Sequence, residues 1–136
     1  MQAFLDSSVF LYAAGKPHPL KEPCVAILEA VGRGDLDATA STEVVQEILY
    51  VVSRRGNRRL AADLAESIMD LFPDLLPVTA ADMRLACRIV GSVEGVPSRD
   101  AVHAATMLNN GLVNIVTADR DFDRIPEVRR IHPGDL

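Results

Sequence analysis

Short apolar runs of strand length alternate with stretches of helical period along the whole 136-residue chain. That alternation admits few folds. Each strand–helix–strand step is a crossover, and crossovers build a mostly parallel sheet with helices on both faces. Ala3, Phe4 and Leu5 form an apolar run that ends at Asp6 and reads as a buried strand. Ser7 and Ser8 offer caps for a short helix through Val9, Phe10, Leu11 and Tyr12, which Gly15, Pro17 and Pro19 end. Cys24, Val25, Ile27, Leu28 and Val31 share one helical stripe over 20–31. Residues 36–40 form a second strand, and Ser41 or Thr42 then caps a helix bearing Val44, Val45, Ile48, Leu49 and Val52. Past a turn at 54–59, Leu60, Leu64, Ile68 and Leu71 mark another helix, so the two make an antiparallel hairpin. Residues 75–78 read as a third strand that Pro77 confines to an edge. Helices follow over 83–90 and 99–109, the second stopped by Gly111. Residues 113–117 are the clearest strand, and Arg129–Ile131 closes the sheet.

Composition narrows the setting. The chain spans one domain's length, and at this size a fold buries roughly two-thirds of its unfolded surface without a metal or disulfide. A 49% apolar and 24% charged content is globular. No apolar run approaches the ~20 residues of a membrane helix. The start, MQAFLDSSVF, lacks the basic flank of a secretory signal. Cys24 and Cys87 stand far apart and read as reduced core residues, which fits a cytoplasmic protein. The net charge of -5 weighs against binding nucleic acid by bulk electrostatics. Of the 14 basic residues, however, only Lys16 and Lys21 are lysines. Arginine suits bidentate phosphate contacts, although genome base composition explains the same skew.

In such sheets ligands bind beyond the carboxyl ends of the strands. Asp6 follows the first strand, and Asp119 follows the strand at 113–117 after Ala118. Glu43 and Asp100 sit in first turns of helices. Each has an ordinary explanation: a cap, a turn, or a favourable place at a helix N-terminus. Together, acids gathered without lysines repel one another, and a divalent cation with a taste for oxygen ligands removes that cost.

Four segments carry a family resemblance: FLDSSVFLYA, STEVVQEILY, SRDAVHAATM and IVTADRDFDRI. In this order and spacing they resemble the PIN-domain family, and the short chain with its DAVHAA segment looks most like VapC-type toxins. The resemblance implies a three-layer α/β domain over 1–136 with strand order 3-2-1-4-5. It implies a ribonuclease dependent on Mg2+ or Mn2+, acting as the toxin of a type II toxin–antitoxin pair. Carried over by motif, Asp6, Glu43, Asp100 and Asp119 match the acidic positions. The resemblance implies Asp6, Asp100 and Asp119 as the direct metal ligands, with Glu43 binding metal or orienting water. Ser8 and Thr117 match supporting hydroxyl positions, and Asp121 matches an additional acid. A homodimer and a small antitoxin partner are implied as well.

Other residues have less defined parts. Arg99 and Arg120 flank Asp100 and Asp119 and suit contact with RNA phosphates. Arg54, Arg55, Arg58 and Arg59 read as an exposed hairpin tip, with RNA or antitoxin contact as the alternative. His103, one turn beyond Asp100, reads as a packing or supporting residue, or else a proton shuttle. Glu47, one turn after Glu43, reads as part of a solvated face, with the border of the pocket as the alternative. Asp123 reads as a solvent-facing or local turn acid. A phospho-acceptor receiver domain needs a late lysine, and none follows Lys21. An aspartyl phosphatase needs a second acid where Ser8 stands. A non-catalytic module on the same fold remains the other reading.

Overall fold

The computed structural model describes residues 2–136. Its sheet is built around β1 (Ala3–Leu5), flanked by β2 (Ala38–Thr39) and β3 (Asn114–Val116), with β4 (Arg129–Ile131) outside β3. All pairings are parallel, in the order β2-β1-β3-β4, and Leu5 stands opposite Val116 in the register. Every residue of β1 is buried regardless of which face it points to, as in a sheet covered on both sides. Full burial of Phe4 and Leu5 contributes about 1.5–3 kcal/mol each.

The strand predicted at 75–78 is reduced to a single parallel bridge between Ser41 and Leu76. Leu76 donates to Ala40 at 3.0 Å, and Thr42 donates to the Leu76 carbonyl at 2.9 Å. Pro77 has no N–H to give, and the Val78 amide turns instead to the Thr42 hydroxyl at 3.1 Å. The expected order 3-2-1-4-5 therefore keeps its sequence, with its third member shrunk to one bridge beside the end of β2.

Six helices connect the strands. α1 (Ser7–Ala14) starts directly after β1. Ser7 and Ser8 are its first helical residues rather than caps, and Asp6 occupies the cap position with no capping bond from its side chain. α2 (Lys21–Gly32) buries Cys24 and Ile27. α3 (Thr42–Arg54) begins at a true cap, with Ser41 Oγ accepting from the Val44 amide at 3.3 Å. α4 (Arg58–Leu71) is capped by Asn57 and packs against α3, as the hairpin reading predicts. Gly56 supplies the φ of 93° that lets the chain turn between them.

α5 (Ala80–Ser92) opens on a capping box between Thr79 and Asp82. The buried Asp82 also accepts from Asn109 at 2.8 Å, which ties α5 to α6 (Ser98–Asn109). Ala101, Ala104 and Ala105 of α6 have no exposed surface. Cys24 is a core residue whose thiol burial pushes up to about 11, but Cys87 is exposed, because it falls on the outer face of α5. Among the described residues, no helix is long and apolar enough to cross a membrane.

Candidate metal centre

The carboxyl ends of β1 and β3 meet the starts of α3 and α6. Asp6 leaves β1 nearly buried, at 5% exposure. Its Oδ2 accepts from Thr117 at 2.7 Å and from Ser8 at 2.8 Å. Thr117 directly follows β3, and its hydroxyl also accepts the Asp119 amide at 3.0 Å. Asp119 Oδ1 in turn accepts from the Asp121 amide at 2.9 Å, which starts the 3-10 turn at Arg120–Arg124. Two hydroxyls thus hold Asp6 in place, and a short turn aims Asp119.

Asp100, in the first turn of α6, stands beside Asp119 and feels the charge of Asp6. One carboxylate oxygen from each of Asp100, Asp119 and Asp121 lies within 4.8 Å of the others. Asp100 Oδ2 is buried without a hydrogen-bond partner. Burial pushes the Asp100 carboxyl up to about 8, helped by its closeness to the Asp119 carboxyl and by the charges of Asp119, Asp6 and Glu47. Among the described residues, no lysine or arginine pairs with Asp6, Asp100 or Asp119. Arg124 reaches Asp121 at 3.6 Å from the rim. An orphaned carboxylate oxygen among hard oxygen donors, with no lysine or arginine between them among the described residues, is an arrangement that could hold a hard divalent cation.

Glu43, the glutamate the sequence reading puts in the site, pairs with Arg99 at 3.3 Å. Glu47, one turn further along α3, faces inward and accepts from His103 Nε2 at 2.8 Å. One ligand atom each from Asp6, Glu47 and His103 lies within a 4.8 Å span. Burial raises the Glu47 carboxyl, but hydrogen bonds from His103 and Ser7 and the charges of His103 and Arg99 outweigh it and hold the group below its usual range. Glu47 is therefore not on a solvated face. The available signal was the stripe of α3 itself: Val44, Ile48 and Val52 face the core, and Glu47 neighbours that stripe more closely than an outward position does.

The remaining residues fall as follows. Arg99 is half-exposed and also lies over the Tyr50 ring, 5.3 Å from its centroid, while Arg54 approaches the same ring at 5.5 Å. Arg120 is exposed on the turn beside Asp119. Arg54, Arg55, Arg58 and Arg59 are exposed at the α3–α4 turn. Asp123 forms a bidentate pair with Arg130 at 2.9 and 3.1 Å, which holds its carboxyl below the usual range and keeps it outside the acidic group.

A groove of about 950 Å³ runs from Ser8 between α1 and the α3–α4 hairpin, lined by Tyr12, Val52, Leu60 and Leu64 with Lys16 and Arg55 at its edge. Ser8 belongs to both the groove and the Asp6 cluster, so one end of the groove touches the acids.

The family model for the PIN domain matches residues 3–128. Ribonuclease VapC7 of Mycobacterium tuberculosis is 32% identical over 130 residues, covering 95% of this chain and 90% of that protein. The crystal structure of FitAcB from Neisseria gonorrhoeae superposes with a TM-score of 0.76 at 25% identity, covering 100% of both chains. VapBC-5 from Mycobacterium tuberculosis, a member of the VapBC family of toxin–antitoxin systems, superposes with a TM-score of 0.65 at 22% identity. It covers 96% of this chain and 98% of that one, a likeness of fold.

Proposed function

The chain belongs to the PIN-domain family and is VapC-like, and on that premise we propose that it is a metal-dependent endoribonuclease, the toxin of a type II toxin–antitoxin pair. The observation that carries this reading is the meeting of Asp100, Asp119 and Asp121 within 4.8 Å, with Asp6 tied to Asp119 through the Thr117 hydroxyl and, among the described residues, no lysine or arginine paired with Asp6, Asp100 or Asp119.

In this reading Asp6, Asp100 and Asp119 hold Mg2+ or Mn2+, and Glu47 takes the part the sequence assigned to Glu43. A bound divalent ion lowers the pKa of a water and offsets charge on the phosphate. The protein's own residues do the rest. Ser8 and Thr117 hold the Asp6 carboxylate in place at the pocket. Asp121 continues the acidic rim. Arg99 and Arg120 stand on either side, where planar guanidinium groups can grip the RNA backbone. Glu43 acts on Arg99, restraining its side chain at the entrance.

A cognate antitoxin laid along the groove would reach Ser8 and close the entrance to Asp6. Apolar lining with Lys16 and Arg55 at its edge suits a segment that is apolar along one side and acidic along the other. A homodimer in the cytoplasm completes the reading, and Met83 and Val90, exposed seven residues apart on α5, offer apolar surface for the pairing.

The test is cleavage of RNA by the purified protein freed of any partner. Added Mg2+ or Mn2+ supports cleavage and EDTA stops it. No cleavage with either ion, by folded protein, leaves a non-catalytic interaction module on the same fold.

A further inference from the structure

Resting on the reading of the acid pocket as a cation site, we propose that His103 is a positioning residue, whose Nε2–H sets the Glu47 carboxylate at the wall of that pocket. His103 has no exposed surface and sits one turn beyond Asp100, so α6 delivers both an acid and the ring beside it. Nε2 lies 2.8 Å from Glu47 Oε1 and 3.9 Å from Asp6 Oδ1. An ionised carboxylate only accepts, so Nε2 carries the proton. That N–H stands between two carboxylates supplied by α3 and by the end of β1, and it eases their repulsion.

The opposite side of the ring makes no such bond. Nδ1 is buried and has no partner among the described residues. A histidine retained only to knit the core together would have both nitrogens satisfied. Among the described residues its one hydrogen bond goes to Glu47, and the tilted ring of Phe4 packs against the imidazole, 6.0 Å away between centroids. Without the donor, Glu47 is free to turn toward Arg99, whose charge it already feels. His103 acts through Glu47 and does not itself hold the ion, because Nε2 is occupied by Glu47.

The experiment measures Mn2+ affinity by electron paramagnetic resonance for the full chain, His103→Asn, His103→Gln, Glu47→Gln and the double variant Glu47→Gln/His103→Asn. Cooperative thermal melts verify folding. An asparagine amide stops short of the Nε2 position, while a glutamine amide reaches it. Groups that orient metal ligands typically control affinity by about 10–100-fold. The expected result is a loss of that size in His103→Asn and recovery to within about threefold in His103→Gln. The double variant binds no more weakly than Glu47→Gln alone.

Wild-type affinity in a folded His103→Asn overturns the role of His103 alone. So does a folded His103→Gln as weak as His103→Asn. A directly bound histidine nitrogen in the Mn2+ spectrum makes His103 a ligand and overturns the proposal in favour of that. Absence of Mn2+ binding by the wild type removes the cation site, and the proposal with it. If His103→Asn does not fold, long-range 1H–15N spectra of the wild type decide: the Nε2–H tautomer is required, and an Nδ1–H tautomer overturns the proposal.

Discussion

Asp6 and Thr117 are 111 positions apart in the chain, and the Thr117 hydroxyl donates to Asp6 Oδ2 at 2.7 Å. The same hydroxyl accepts the Asp119 amide at 3.0 Å. One side chain therefore ties the acid that ends β1 to the acid that follows β3, and the spacing of the pocket depends on it.

Replacing that hydroxyl with a methyl of similar size tests the tie. Thr117→Val removes a hydrogen bond to a charged group, and such bonds are worth about 1.5–3 kcal/mol. Urea unfolding is expected to show a loss of that order and RNA cleavage a loss of about tenfold. Thr117→Ser keeps the hydroxyl and stays close to wild type in cleavage. Equal behaviour of the valine and serine variants removes Thr117 from the account.

Asp6→Asn separates stability from activity. It preserves shape and removes one of several converging charges, so the metal-free melting temperature is expected to hold or rise. Cleavage is expected to fall by at least about a hundredfold, as for loss of a charge stabiliser at the reacting centre. Cleavage at the wild-type rate by folded Asp6→Asn takes Asp6 out of the chemistry.

Glu43 and Glu47 make opposite predictions. Glu47→Gln is expected to weaken Mn2+ binding by more than about tenfold. Glu43→Gln releases Arg99, so its effect is expected in KM for RNA, with kcat within about threefold. A large fall in kcat for Glu43→Gln alone restores the assignment made from the sequence.

The raised Asp100 carboxyl has a pH signature. Its folded value of about 8 lies above the ordinary 3.8. Between these values the folded chain holds a proton that the unfolded chain has lost, so stability falls as pH rises through that window and levels off above about 8. Glu47 is shifted downward and acts only at more acid pH, losing its contribution as pH falls below the ordinary 4.5. Unfolding in EDTA is therefore expected to show a less stable protein at pH 8 than at pH 6, and saturating Mn2+ is expected to flatten the difference. Because the ion displaces one proton, its apparent affinity is expected to rise about tenfold per pH unit up to that point. Metal-free stability that climbs from pH 6 to 8 contradicts the raised value.

Strand–helix alternation made the fold readable, since Phe4, Leu5, Ile115 and Val116 sit in runs too apolar to lie anywhere except the middle of a covered sheet. Residues 75–78 look equally strand-like. What curtails them is a single missing N–H at Pro77 and the competing Thr42 hydroxyl, a contest that pattern does not rank. Asp6, Asp100 and Asp119 were visible because each marks the end of a strand or the start of a helix. Glu47 was not. Choosing between two glutamates one turn apart on α3 depends on where α6 brings His103, and that partner lies 56 positions away. Cys87 and Cys24 look alike in sequence and differ only in the face of the helix each occupies.

The most direct test of the central claim is the anomalous difference density of Mn2+ in a crystal of the antitoxin-free protein. The account predicts density bounded by Asp6, Asp100 and Asp119, lost in Asp6→Asn. Mn2+ bound elsewhere, or no bound Mn2+ with these three carboxylates turned apart, would contradict it.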